Sequence, residues 1–287
     1  MSPNTRGALL MAAAMAAFTF NDACIKATDG ALPLAQILTL RGALASLLIY
    51  GLARALGSLR VDLPRRDWAL VALRSLAELA AAYFFLTALM NMPLANVTAV
   101  LQALPLTVTL GAALFFGETV GWRRGLAILV GFAGVLLIVR PGPEGFSLHA
   151  IYALAAVACV TVRDLATRRM SAQVPSMTVT LSASLAVMGF AALASLGTEW
   201  APMDRRLVLL VLGSSVFVFA GYLFSVMAMR VGEVAFVSPF RYTGLIWALL
   251  LGWLAFGHWP EPLTLIGAAI VVATGLFTLF RERAIRA

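Results

Sequence analysis

Charge is scarce in this 287-residue chain: Asp, Glu, Lys and Arg make up 12% of it, against about 25% in a typical soluble domain. With 62% apolar residues and a mean hydropathy of +0.94, an ordinary water-soluble domain is excluded. Cysteine is almost absent. Cys24 and Cys159 both lie inside apolar runs, so they offer no disulfide framework and are read as packing residues. The two histidines, His149 and His258, sit at the ends of apolar runs with no second ligand beside them, which argues against a catalytic metal. No phosphate-cradling Gly-Lys-Ser/Thr loop occurs, so ATP drive within the chain is not expected. No catalytic residue and no cofactor is expected, and the reading is not an enzyme.

What the chain has in abundance is long apolar runs. Windows of about 20 residues, enough to cross ~30 Å of hydrocarbon as a helix, fall at 6–27, 33–56, 67–90, 92–116, 121–139, 148–169, 175–196, 206–230, 233–256 and 262–281. The runs are continuous and do not alternate as barrel strands do, so the expectation is an all-α integral membrane protein with ten transmembrane helices. Arg6 ahead of an Ala-rich run resembles a secretory signal, but Asn21-Asp22 stands where the cleavage site belongs and nine more spans follow.

The formal charge of +8 invites a nucleic-acid reading until its distribution is considered. With the N-terminus inside, thirteen of the 21 basic residues fall on cytoplasmic segments and four on outer ones, Lys26, Arg140, Arg205 and Arg206. Arg41, Arg74, Arg163 and Arg241 lie within spans. The positive-inside bias places both termini in the cytoplasm. Basicity here records topology and the lipid bilayer as partner, not a nucleic-acid surface.

The chain also repeats itself. A shift of 142 residues superposes Asp22 on Asp164, Lys26 on Arg168 and Pro33 on Pro175. Near a shift of 140, Tyr83 meets Tyr222, Ala95 meets Ala235 and Gly117 meets Gly257. Two five-helix halves are expected, 1–143 and 144–287, joined near Pro141-Gly142-Pro143. Five being odd, the second half enters the membrane from the other side. Inverted halves around a central cavity suit alternating access.

The pattern Ala95-x9-Pro105, Gly117-Glu118, Gly125 and Gly134 resembles the EamA-type repeat of the drug/metabolite transporter superfamily. The second half keeps Ala235 and Gly257 but has Leu245 for the proline and His258 for the glutamate. Within the superfamily the chain looks most like the YddG-type bacterial amino-acid and metabolite exporters. That resemblance implies ten helices in two inverted halves, a bacterial inner membrane, and small-molecule cargo, amino acids first. A monomer is compatible with it.

Ionisable residues inside a span cost roughly 2.5–3.5 kcal/mol near its centre and are functional candidates by default. Asp22 and Lys26, and Asp164 and Arg168, are i,i+4 pairs at repeat-related places, either self-neutralised near an interface or reaching the cavity. Arg74 and Glu78 form another such pair, with Glu78 near the bilayer midplane. Glu78 either binds a substrate amine or a coupling proton, or neutralises Arg74. Arg41, Arg163 and Arg241 either hold a substrate carboxylate or pair between helices. Tyr83, Gln102, Tyr222, Tyr242 and Trp247 are pocket candidates in otherwise apolar walls, interhelical bonding being the alternative for each tyrosine. Pro105 and Pro239 interrupt two spans and are expected to kink or hinge them. Glu118 reads as a structural joint beside Arg123 and Arg124.

These features converge on a secondary transporter that exports amino acids, aromatic or other apolar ones included, and related metabolites by alternating access. The alternative is uptake or exchange of a larger metabolite, such as a nucleoside-type cofactor or a vitamin.

Overall fold

The computed structural model describes residues 1–117, 120–140, 147–231 and 234–286. Glu118 and the Pro141-Gly142-Pro143 junction lie outside them. Among the described residues every regular element is a helix and no strand occurs. Among the described residues ten helical stretches are long and apolar enough to cross a membrane, and the chain is a multi-pass membrane protein.

The first three spans are single helices, α1 (Pro3–Lys26), α2 (Leu34–Ala55) and α3 (Arg65–Asn91). The fourth is divided into α4 (Leu94–Leu101) and α5 (Leu104–Phe116), and the fifth is α6 (Trp122–Val139). In the second half come α7 (Leu148–Arg169), α8 (Ser176–Ser195) and α9 (Arg205–Val231). A short α10 (Val234–Val237), a 3-10 turn (Ser238–Tyr242) and α11 (Thr243–Phe256) make the ninth span, and α12 (Pro262–Arg286) the tenth. Proline directly precedes α2, α3, α4 and α8, where its fixed φ starts the helix and its missing N–H costs nothing. Within the spans, hydroxyls bond back to the carbonyl four residues earlier, as Thr161 does to Val157 and Ser215 to Val211, which removes the penalty of a bare polar group.

Four interfaces dominate the packing: α1 with α9, α3 with α7, α2 with α8 and α6 with α12. Exchanging α1, α2, α3 and α6 with α7, α8, α9 and α12 maps this set onto itself. The exchanged partners also run in opposite directions. In α2 and α8, Gly42 faces Met188 while Ser46 hydrogen-bonds Ser184 at 2.7 Å, so numbering rises in one helix as it falls in the other. In α6 and α12, Gly131 faces Thr274 and Gly134 faces Ile270 and Gly267. Antiparallel counterparts are what inverted halves require. The α6–α12 crossing depends on glycine: a Cβ on Gly134 would stand 2.9 Å from the Gly267 carbonyl oxygen.

The fourth span and the ninth are both broken at repeat-related places. Gln102 and Ala103 separate α4 from α5 through i to i+3 bonds, Gln102 N–H to Ala99 and Ala103 N–H to Val100. Pro105 falls in the first turn of α5 and Pro239 in the 3-10 turn, positions where a proline forfeits no helical bond of its own. Both helices that follow end on a left-handed glycine, Gly117 at φ +68° and Gly257 at φ +65°.

Candidate functional site

The polar interior gathers where α3 lies along α7 and faces α9. Glu78 stands thirteen residues from either end of α3, hence at mid-depth. Its carboxylate has three partners on three helices. Arg74 Nη2, one turn back on α3, is 3.7 Å from Oε2. From α7, Arg163 Nη1 is 3.3 Å from the same oxygen, and the Tyr222 hydroxyl on α9 donates to Oε1 at 3.5 Å. Arg163 turns its other face to Asp164, with Nε and Nη2 both 2.8 Å from Oδ1. Exposure of these side chains rises from 12% at Arg74 and 15% at Glu78 to 22% at Arg163 and 28% at Asp164. The α3 members of the cluster are thus more covered than those on α7. Two donors of Arg74, Nε and Nη1, are buried without a partner, a cost of about 1–3 kcal/mol for each group.

A second node joins α1, α2 and α9 nearer the outer side. Asn21 is 4% exposed, and its Oδ1 accepts from Arg41 Nη1 at 3.1 Å and from the Ser214 hydroxyl at 2.8 Å. Its Nδ2 donates to Asp22 at 2.8 Å. Arg41 lies within electrostatic reach of Tyr222, Asp22 and Glu78, which links the two nodes. Arg241 is exposed and yet within electrostatic reach of Asp164 and Arg163. Arg41, Arg74 and Arg163 stand among Asp22, Glu78 and Asp164, three guanidiniums against three carboxylates, with the exposed Arg241 at the edge of the group.

An aromatic wall lies beside these nodes. Phe20 stacks on Phe217 at 5.3 Å between ring centroids and meets Trp247 at 6.1 Å, while Phe18 meets Tyr222 edge-on at 5.3 Å. Of the residues singled out in the sequence, Asp22, Arg41, Arg74, Glu78, Arg163, Asp164, Tyr222, Arg241 and Trp247 thus come together. Three stand apart. Tyr83 is 48% exposed and packs with Phe84 and Tyr152, because α3 carries it on a different face from Glu78. Tyr242 is buried with its hydroxyl unpartnered, pressed against Gly275 of α12, where the missing side chain makes room for the ring. Gln102 is buried at the α4–α5 break.

Each end of the bundle is tied. On the outer side Lys26 does not turn to Asp22; its Nζ donates to the carbonyls of Leu89 at 2.9 Å and Met92 at 2.7 Å, with the Phe256 ring 5.9 Å away. Arg206 donates to the Ala27 carbonyl at 2.9 Å. On the cytoplasmic side Asp67 accepts from the Ser171 N–H and hydroxyl at 3.2 and 2.8 Å, and Arg169 lies 4.2 Å over Phe116. Phe116 and Phe256 are repeat-related. A cavity of about 350 Å³ is lined by Asp29, Gly30, Thr87 and Asn91 on the outer side. Another, of about 290 Å³, is lined by Arg74, Thr167, Ser171 and Ser176 on the inner side. Asn21, Ser214, Asp67 and Ser171 were not among the predicted site residues; Ser214 shows no sequence signal, whereas Asp67 and Asn21 are polar groups at the edges of apolar runs.

A profile of the EamA-like transporter family matches residues 5–140 and again 147–280. The pseudopaline exporter CntI of Pseudomonas aeruginosa is 29% identical over 269 residues, 92% of this chain and 93% of that one. A riboflavin transporter of Vibrio cholerae is 27% identical over 275 residues, covering 95% and 92%. An S-adenosylmethionine uptake transporter of Rickettsia conorii is 28% identical over 193 residues, 67% and 65% of the two chains. A protein crystal structure with 21% identity superposes over 99% of both chains with a TM-score of 0.68. These relatives are not named for amino acids, so the narrower likeness to YddG-type amino-acid exporters gives way to the family as a whole.

Proposed function

We infer, for a chain that belongs to the EamA-like transporter family and crosses the membrane ten times, that its cargo is a small zwitterionic metabolite bearing at least one carboxylate or comparable anion. The observation behind this is the midplane cluster itself, where Arg74 and Arg163 stand beside Glu78 and Asp164 and two buried donors of Arg74 are left without a partner. An anionic cargo group gives those donors a partner, and a cargo ammonium finds Glu78 or Asp164 within the same cluster. Amino acids are the simplest molecules of this kind, and the aromatic wall of Phe20, Phe217 and Trp247 suits those with an apolar side chain. Export from a bacterial cytoplasm across the inner membrane by alternating access is the reading we adopt, supported by interfaces that map onto themselves when the halves exchange.

A second reading, uptake or exchange of a larger cofactor-type metabolite, is favoured by the names of the Vibrio and Rickettsia relatives. Counterflow in proteoliposomes separates the two. Vesicles loaded with unlabelled phenylalanine are expected to accumulate labelled phenylalanine, with Glu78→Gln lowering the rate at least tenfold. Exchange of riboflavin or S-adenosylmethionine with no exchange of any amino acid would overturn the first reading in favour of the second.

A further inference from the structure

The cytoplasmic cavity of about 290 Å³ lies between α3, the end of α7 and the start of α8. We propose that it is a loading seat for the oxyanion group of the cargo, a carboxylate or a phosphate, with Arg74 as the residue that takes hold of it; this rests on the transport reading above.

The polar groups around the cavity divide into those already committed and those not. Thr167 donates its hydroxyl to the Arg163 carbonyl, Thr180 to the Ser176 carbonyl and Ser171 to Asp67. Asp67, buried behind Ser171 at 4% exposure, accepts two bonds from it. Arg74 is the exception. Its one ion pair, to Glu78, is long at 3.7 Å, and Nε and Nη1 have no partner. A guanidinium presents five donors in a planar fork that matches two oxygens of a carboxylate or phosphate.

A second source of positive potential adjoins it. The 20-residue α8 begins at Ser176 in the cavity wall, after Pro175 and without a side-chain cap. Its first-turn N–H groups therefore carry the positive end of the helix dipole toward the cavity. Arg74 lies nine residues into α3, about 13 Å from that helix's cytoplasmic end at 1.5 Å per residue, and one turn below Glu78. Its unpaired donors are covered at rest, so an arriving oxyanion draws the side chain toward the cavity and away from Glu78, which keeps Arg163. Arg74 thus hands the cargo's anionic end from the cytoplasmic opening to the midplane cluster.

The test uses the full-length protein purified in lipid nanodiscs, with succinate, phosphate and the neutral analogue succinamide as probes at constant ionic strength. Succinate or phosphate is expected to raise the melting temperature saturably and succinamide not to. The half-saturating concentration should rise at least tenfold in Arg74→Gln, less in Arg74→Lys, and not at all in Arg205→Gln, an exposed arginine at the outer end of α9. A stronger response to succinate assigns a carboxylate cargo and a stronger response to phosphate a phosphorylated one; both support the seat. A second readout holds if Arg74→Gln does not fold. Ser176→Cys in a background with Cys24 and Cys159 replaced by Ala should lose at least half of its maleimide labelling rate in the presence of the effective anion. Equal responses in wild type and Arg74→Lys, or no protection of Ser176→Cys, overturn the proposal. Arg74-dependent binding without amino-acid counterflow would sink the amino-acid reading alone. Counterflow without Arg74-dependent binding would sink only the seat.

Discussion

Arg163 is the charge the interior can least spare. Its guanidinium is 3.3 Å from Glu78 and 2.8 Å from Asp164. At an effective dielectric constant of about 20 those separations correspond to gross attractions of roughly 5 and 6 kcal/mol. Desolvation of three partly buried groups takes back most of this, but removing one member leaves the others buried and unbalanced, at a cost of about 3–5 kcal/mol. Arg163→Gln is therefore expected to destabilise the protein by about 3 kcal/mol or more, because Glu78 then keeps only the long contact to Arg74 and Asp164 loses its close ion pair. Glu78→Gln added to it removes the carboxylate that Arg163 had neutralised. The double variant should fall short of the sum of the single effects by about 1.5–3 kcal/mol. Unfolding by SDS in mixed micelles, followed by tryptophan fluorescence, measures all three variants on one scale. Additivity within about 0.5 kcal/mol, the scatter expected of independent sites, would refute the cluster as a charge-balanced unit.

Three further outcomes are expected. Lys26→Met removes the bonds to Leu89 and Met92, so labelling of Thr87→Cys in the outer cavity from outside should speed up at least threefold; an unchanged rate means that Lys26 does not hold that end closed. Gly134→Val drives a side chain against the Gly267 carbonyl and Ile270 and should cost about 1–3 kcal/mol, whereas Gly125→Ala, with nothing within 4 Å of the added carbon, should be neutral or stabilising by up to about 1 kcal/mol. Asn21→Leu leaves Arg41 Nη1 and the Ser214 hydroxyl without their acceptor and should destabilise by about 2–4 kcal/mol, and a loss below 1 kcal/mol would show that water replaces the amide.

The spans were legible because lipid imposes one requirement, an apolar helix of fixed length, and hydropathy reads it directly. The first window, 6–27, differs from α1 (Pro3–Lys26) by a few residues. Breaks inside spans are less visible, since hydropathy carries no dihedral information: the window 233–256 conceals α10, a 3-10 turn and α11. Ionisable residues stood out against their apolar runs, and most of them do meet. Their partners were not legible. Glu78 is joined to Arg163 across 85 positions on antiparallel helices, a relation no local spacing encodes. The i,i+4 spacing of Asp22 and Lys26 suggested a pair, yet Lys26 reaches the carbonyls left over at the end of α3, where helix termini offer unused acceptors. Tyr83 and Tyr222 match in the repeat, but only Tyr222 meets Glu78, because the facing of a helix depends on neighbours that the two halves do not share.

That divergence bears on how cargo is oriented. The shift that pairs Tyr83 with Tyr222 pairs Glu78 with Phe217, and the shift that pairs Asp22 with Asp164 pairs Asn21 with Arg163. Positions equivalent in the two halves thus hold a carboxylate and a guanidinium on the inner side but a phenyl ring and a neutral amide on the outer side. Phe217 stacks on Phe20, which meets Trp247, so the outer-side counterpart of the charged cluster is an aromatic wall. Symmetric halves would offer cargo the same surface from either direction. These offer the Glu78–Arg163 cluster to a molecule entering from the cytoplasm, and to one entering from outside the aromatic wall beside the smaller Asn21–Arg41–Asp22 node. An amphipathic zwitterion satisfies both at once in a single orientation, head toward α7 and apolar side toward α1 and α9. Changes to its charged head should therefore alter affinity chiefly from the cytoplasmic side, and changes to its apolar side chiefly from the outer side.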